Sequence, residues 1–360
     1  MLTKIDIYII KKFLSTFFFT LLLIVCVIIV FDLSERLEEF IDKKAPIKAI
    51  IFDYYVNYIP YLANMMSPLF IFISVIFFTS KMASNSEIVA ILASGISFKR
   101  LLRPFLICAI LLAGLSYVLN NFLIPESNKK RIAFEEQYYR NKLRNYSQDI
   151  HMKINDNTYV YMTNFVIDLN LGNNFSIERF NDDGELEYKL LSDNVKWDTT
   201  INMWSITNYV ERHINGLEET IKKGVKKDTI LDLKVEEFKR RNNYVTTMNL
   251  FELNDFIEEQ TFKGSQQIVN YELERQQRSS YPFATIVLTL IGVSVSSRKV
   301  RGGIGLHIGI GLLISFSYIL FMQISATFAL NSGVPAIVAV WIPNVVYGCL
   351  AAYLLKKAPK

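Results

Sequence analysis

The sequence predicts a helical membrane protein with six transmembrane spans, arranged 3+3 about an inserted all-β domain. Three observations predict it. The apolar residues, 51% of the 360-residue chain, gather into six blocks free of Asp, Glu, Lys and Arg. About 155 polar residues lie between the third block and the fourth. Lys and Arg collect at one predicted side of the spans.

The blocks are Phe13–Phe31, Tyr54–Thr79, Pro104–Ile124, Tyr281–Ser297, Gly302–Leu330 and Val334–Leu355. Each approaches or exceeds the roughly 20 residues that cross a bilayer core. The first is longer than a secretory h-region, lacks an A-x-A-type cleavage site and precedes five more spans, which predicts a retained helix. Basic residues flank one side at Lys4, Lys11 and Lys12, at Lys81, Lys99, Arg100 and Arg103, at Arg298, Lys299 and Arg301, and at Lys356, Lys357 and Lys360. The positive-inside rule makes that side cytoplasmic, with both termini there and the polar insert outside. These signals account for most of the net charge of +5. No basic face with interleaved aromatics appears, so no nucleic-acid partner is expected. Cys26, Cys108 and Cys349 fall within apolar spans, which excludes a disulfide framework and a metal-type spacing.

Spans one to three occupy residues 1–124. Between spans two and three lies Ser84–Gly95, where Ser84 and Glu87 have the S-x-x-E spacing of a capping box and Gly95 is a left-handed stop. The pattern predicts a short self-terminating cytoplasmic helix at about 85–94. Glu87 has two readings: it completes the cap and offsets the helix dipole, or it contacts a basic groove on a soluble partner. Span two contains Asn57, Pro60, Asn64 and Pro68. Two prolines free backbone carbonyls, and the amides either pack against neighbours or line a cavity.

The insert, 125–280, opens with a helical stretch from Glu126 to Leu143 and then alternates like a strand at Asn157–Met162. Turn signals recur at Asn173-Asn174, Asp183-Gly184, Asp198-Thr199 and Asn215-Gly216, which predicts an antiparallel sandwich or roll of roughly eight strands. Helical spacing returns with Leu250, Leu253, Phe256 and Ile257, and Gly264 stops it.

Spans four to six occupy 281–360. The fifth begins with Gly305 and Gly309 as GxxxG, continued by Gly311, a pattern for close helix approach. His307 near its start reads as a proton relay or as a structural side chain. No GxxxxGK[ST], no Rossmann context, no HExxH and no Ser/His/Asp set with suggestive context is present. The chain reads as a non-enzyme that binds no cofactor and no metal of its own.

Taken together, these residues resemble the lipopolysaccharide export permeases of the LptF/LptG (YjgP/YjgQ) family, nearly end to end. The resemblance rests on Ile5-Asp6-Ile7-Tyr8-Ile9, on Ser86–Gly95, on the run from Tyr271 to Pro282, and on Val334-Pro335 with Trp341-Ile342-Pro343-Asn344. The start and the Val334-Pro335 region are slightly closer to LptG. The resemblance implies an ABC transporter subunit in the bacterial inner membrane that extracts lipopolysaccharide. It implies a second LptF/LptG-type permease, an LptB-like ATPase dimer that uses the ATP and Mg, and LptC/LptA-like periplasmic jellyroll proteins. It also implies that the insert is a periplasmic β-jellyroll whose edge strands continue the bridge by β-augmentation. Ser84, Glu87, Ile88, Ile91 and Gly95 would couple to the ATPase, and Glu87 would sit in its groove. Arg36, Asn57 and Asn64 would serve the lipid cavity, and Gly305 and Gly309 helix packing or gating.

One departure concerns the lipid. Where the family carries basic residues after span one, this chain reads Asp32, Glu35, Arg36, Glu38, Glu39 and Asp42, with Lys43 and Lys44 only afterwards. Arg36 alone carries over. Acids there repel phosphate, so the lipid is expected to be less phosphorylated, cation-bridged or held by its acyl chains. The alternative of another class is a membrane-anchored binding or scaffold protein without transport activity. Kinked span two and glycine-rich span five argue against passive anchors.

Overall fold

The computed structural model describes residues 3–138, 148–239, 244–298 and 303–358. Lys299, Arg301 and Lys360 of the charge pattern lie outside these, as does the expected end of the first tethering helix at 139–143. The chain divides into a membrane unit (Met1–Arg140, Thr246–Leu250, Val269–Lys360) and a β unit (Asn141–Val245, Phe251–Ile268).

The membrane unit holds six helices long and apolar enough to cross a membrane. They are α1 (Lys4–Asp42), α2 (Ile47–Ser84), α4 (Phe98–Tyr138), α7 (Ile268–Ser296), α8 (Gly303–Ser332) and α9 (Ala336–Lys357), with the short α3 (Glu87–Ala93) between α2 and α4. At 39 residues α1 is roughly 58 Å long. It buries a stripe, Ile9, Phe13 and Phe17, at a spacing of four, while Phe18, Phe19, Leu22 and Leu23 point outward. In lipid such outward residues lose nothing, so helix association rests on close packing rather than on burial from water. One packed cluster joins α1, α2, α3 and α4. A second joins α2, α7, α8 and α9.

Two π-helical turns interrupt α2 and α4, at Ile50–Tyr55 and Leu119–Leu123. Each loosens the backbone ladder and frees a carbonyl, and an asparagine amide answers in each case. Asn57 Nδ2 donates to the Phe52 and Asp53 carbonyls at 2.8 and 3.1 Å. Asn121 Nδ2 donates to the Tyr117 carbonyl at 2.9 Å. The second turn precedes Pro125 and the helix runs through it, so the third span and the expected tethering helix are one element.

The β unit is a single antiparallel sheet of β1 (Gln148–Asn155), β2 (Thr158–Val166), β3 (Leu171–Phe180), β4 (Leu186–Asp198), β5 (Met203–Asn215) and β6 (Glu218–Thr229), ordered as in the chain. The expected count of roughly eight is thus six among the described residues. The turn signal at Asn173-Asn174 falls inside β3 instead of between strands, where Asn173 pairs with Asn164 of β2 and Asn194 of β4. One face carries Val160, Met162, Phe175, Ile177, Leu190 and Ile206 into the core. After β6 the chain returns over this core through α5 (Val235–Lys239), where Phe238 stacks on Phe165 at 4.6 Å and the Trp204 indole donates to the Leu233 carbonyl at 3.2 Å. Helix α6 (Leu250–Phe262) ends in Gly264, whose φ of 65° permits the stop read from the sequence. Just before it, the Lys263 carbonyl accepts from Lys153 N–H at 3.0 Å, which covers part of the outer edge of β1. Among the described residues β6 has a strand neighbour on one side only.

Near that edge Glu211 is buried, accepting from the Tyr188 hydroxyl at 2.9 Å and from the Lys227 ammonium. Burial opposes its charge, but these two donors outweigh burial and hold its carboxyl below the usual carboxylate range. A depressed carboxyl contributes stability above its unfolded value of about 4 and loses it as pH falls through the lowered folded value. Glu211→Gln is therefore expected to lower stability at pH 7 and to flatten the loss on acidification. Near-UV circular dichroism of the full chain against pH checks this through Trp197 and Trp204.

Candidate functional site

α3 is a seven-residue helix that cannot hold itself together in water. Its neighbours hold it. Ile88 is fully buried in the cluster with Ile9, Phe13, Met82, Phe98 and Leu101, and Ile91 and Leu92 pack partly against the same cluster. The Glu87 carboxylate accepts from Asn85 Nδ2 at 3.1 Å and from the Tyr8 hydroxyl of α1 at 3.4 Å. Gly95 takes φ 88° and its N–H reaches the Leu92 carbonyl at 3.0 Å, ending the helix. With one face fixed, α3 presents Val89, 59% exposed, together with exposed Ala90 and Ala93.

A pair that the sequence does not announce joins α1 to the start of α4. Arg100, at the start of α4, grips the Asp6 carboxylate with two nitrogens at 2.7 and 2.6 Å. Asp6 is 2% exposed, and it also accepts from the Thr3 backbone N–H at 2.8 Å while Thr3 Oγ1 caps the Asp6 N–H. A capping box therefore exists, at Thr3/Asp6 and not at Ser84/Glu87. Ser84 is the last residue of α2, and Glu87 is the first helical residue of α3, so the S-x-x-E spacing straddles a helix break. The helix is accordingly shorter than the predicted ten residues. Ser86 makes the corner with φ 63°, left-handed for a residue with a Cβ. That conformation costs about 1 kcal/mol or more, so Ser86→Gly is expected to raise thermal stability slightly and leave α3 in place. A cysteine-labelling scan of α3 before and after the change checks it.

The residues assigned to the lipid separate in space. Asn57 is committed to the carbonyls of its own helix and is not among the residues that line the cavity beside Asn64. Arg36 Nε pairs with Asp32 at 2.7 Å, and its guanidinium lies 5.7 Å over the Tyr54 ring. Asp32 is itself buried and accepts from the Tyr54 and Tyr55 hydroxyls at 3.1 and 3.2 Å. Arg36 thus ties α1 to α2. Asn64, by contrast, faces a cavity of about 420 Å³ between α2, α4, α7 and α8, and its amide donates to Asn120 Oδ1 at 2.6 Å.

Gly305 and Gly309 lie on an open side of α8, where an added Cβ would meet nothing within 4 Å among the described residues. The close approach is at Gly311, where a Cβ would strike Ile76, and at Gly292 of α7, where it would come within 3.0 Å of Phe72 and Val75. His307 is buried with Nε2 at 3.0 Å from the Arg298 carbonyl, a link between the end of α7 and the start of α8 that supports the structural reading.

The signals missed are of two kinds. Thr3-x-x-Asp6 before an apolar run is a capping pattern visible in the sequence, and Ile88, Ile91 and Leu92 at i, i+3 and i+4 mark the inward face of α3. The partnership of Asp6 with Arg100, 94 residues apart, has no local signal.

No individual curated protein matches the chain. A family model, the lipopolysaccharide export system permease LptF/LptG, matches residues 7–357 and describes both subunit types together. The match takes in the clamped α3, all six spans and the inserted sheet, and by it the chain belongs to the LptF/LptG family of lipopolysaccharide export permeases.

Proposed function

We propose that this chain is one of two permease subunits that together lift lipopolysaccharide out of the bacterial inner membrane, with α3 docked on a separate ATPase dimer. The observation that carries the reading is α3 itself. A seven-residue helix packed through Ile88 into the cluster of α1, α2 and α4, and tied to α1 by Glu87, passes a push on its outer face to three spans, two of which the Asp6–Arg100 pair joins. A helix held this way, exposing Val89, Ala90 and Ala93, suits a docking handle. The coupling roles then divide. Val89, Ala90 and Ala93 meet the partner, while Ile88 and Ile91 anchor the handle and Glu87 sits between both.

In this reading the α3 end of the spans and both termini are cytoplasmic, in line with Lys11, Lys12, Arg103 and Lys356. ATP and Mg are used by the partner chain. The large exposed apolar side chains of α8, such as Leu313, Phe316 and Phe328, face lipid or the second LptF/LptG-type permease, with Gly305 and Gly309 beside them. The periplasmic bridge of LptC/LptA-like jellyroll proteins adds to β6, because the Lys263 carbonyl already occupies part of the β1 edge.

Gentle purification from native membranes, with mass spectrometry of proteins and lipids, tests this. A soluble ATPase, a second six-span permease and lipopolysaccharide are expected. Repeated recovery of this chain without an ATPase would favour a membrane-anchored scaffold instead.

A further inference from the structure

The cavity between α2, α4, α7 and α8 is ordered along the spans. At the end from which the chain enters and leaves the β unit it is rimmed by Asn64, Asn120, Gln277 and Gln323 with the phenols Tyr61 and Tyr281. Deeper, its walls are Met65, Leu69, Leu288, Ile319 and Met322. That is the polarity of a lipid in one leaflet, head at the rim and chain below. At about 420 Å³ it lies toward the small end of ligand pockets, roughly 300–1,000 Å³, too small for a head bearing several chains.

Its electrostatics are neutral. The lining carries one acid and one base, Glu274 and Arg278, and they are paired at 2.9 Å. Arg278 is also held by the Met248 carbonyl at 2.7 Å and is 4% exposed. Arg131 lies 5.0 and 5.1 Å over the Tyr58 and Tyr61 rings, the second a ring of this lining, and beside Glu135. A phosphate at this rim would meet the Glu274 carboxylate, and the one base of the lining, Arg278, is already engaged, so an unpaired charge there is costly. Uncharged groups fare otherwise. The Asn64–Asn120 bond uses one amide proton and one carbonyl, which leaves Asn64 Oδ1 as an acceptor and Asn120 Nδ2 as a donor. Lower down, the Ser315 hydroxyl lines the cavity, 1% exposed and without a partner among the described residues.

We propose that this cavity seats a single acyl chain of the cargo and reads its uncharged attachment, the ester or amide carbonyl and neighbouring sugar hydroxyls of an acylated glycan, through Asn64 and Asn120, with no contact to phosphate. This rests on the export reading and names the part of the lipid that this subunit recognises. It also accounts for the acidic stretch after α1, since phosphate recognition is not placed on this half.

The test uses the full chain in lipid nanodiscs with a photo-crosslinking residue at Ile319, which lines the cavity and is 46% exposed. The probes are diphosphoryl lipid A and the same lipid with both phosphates removed. Crosslinking within about twofold for the two lipids is expected, with Asn64→Leu and Asn120→Leu each lowering it roughly two- to tenfold, the value of one hydrogen bond, and Asn64→Gln restoring most of it. If the leucine variants do not fold, the two-lipid comparison on the native side chains decides. Loss of crosslinking on removing the phosphates overturns the proposal while leaving lipid export intact. Absence of both lipids from Ile319, in a chain that still purifies with an ATPase, overturns it as well. Absence of lipid and ATPase together removes the export reading and the proposal with it.

Discussion

Arg100→Ala is expected to destabilise the membrane unit, because it strips the charged partner from the Asp6 carboxylate. Asp6, 3% exposed as a side chain, would keep its charge with only the Thr3 donors left to it. The reverse change, Asp6→Ala, is expected to cost less, about 1–2 kcal/mol, chiefly from the lost cap. The Arg100 side chain is 30% exposed and turns to water when released. A charge swap, Asp6→Arg with Arg100→Asp, is expected not to restore stability, because the Thr3 N–H needs an acceptor at residue 6. Thermal unfolding of the three purified full-length variants ranks them. Equal losses for Arg100→Ala and Asp6→Ala would show that the pair acts only as an exposed ion pair.

The second large effect separates the two faces of α3. Val89→Glu places a carboxylate on the face proposed to dock, where burying it against a partner costs about 2 kcal/mol or more, roughly thirtyfold in affinity. The fold of the chain itself is expected to be unchanged, since a surface substitution of this kind moves stability by no more than about 0.5 kcal/mol. Ile88→Ala does the opposite. It opens a hole in the cluster under α3 and is expected to cost about 2–5 kcal/mol of stability, with docking lost only because the handle comes loose. Co-purification of the ATPase set against melting temperature distinguishes the two variants, and matching losses of stability in both would refute the division of faces.

How much of this was legible in the sequence depends on the range of the interaction. Apolar blocks, the β insert, the Gly95 and Gly264 stops and the short helix between α2 and α4 are local patterns, and each appears where the residues place it. The capping box was misassigned because S-x-x-E spacing is blind to a helix break falling inside it. GxxxG likewise reports small residues on one face but not which neighbour lies there, and within this chain it is Gly311 that meets Ile76. The site residues follow the same rule. Asn64 reaches the cavity and Asn57 does not, although both are asparagines two turns apart on one helix, because a π turn just before Asn57 turns its amide onto its own backbone. The pairing of Arg36 was hidden because the buried Asp32 four residues earlier reads, in sequence, as one more surface acid.

The outward face of α3 is proposed to meet a soluble ATPase. The most direct measurement is photo-crosslinking in native membranes from a reactive residue at Val89, with Phe328 on α8 as the control. Crosslinking of an ATPase from Val89 and not from Phe328 is the predicted result. No crosslink from Val89, in a chain that is folded and present in the membrane, would contradict the account.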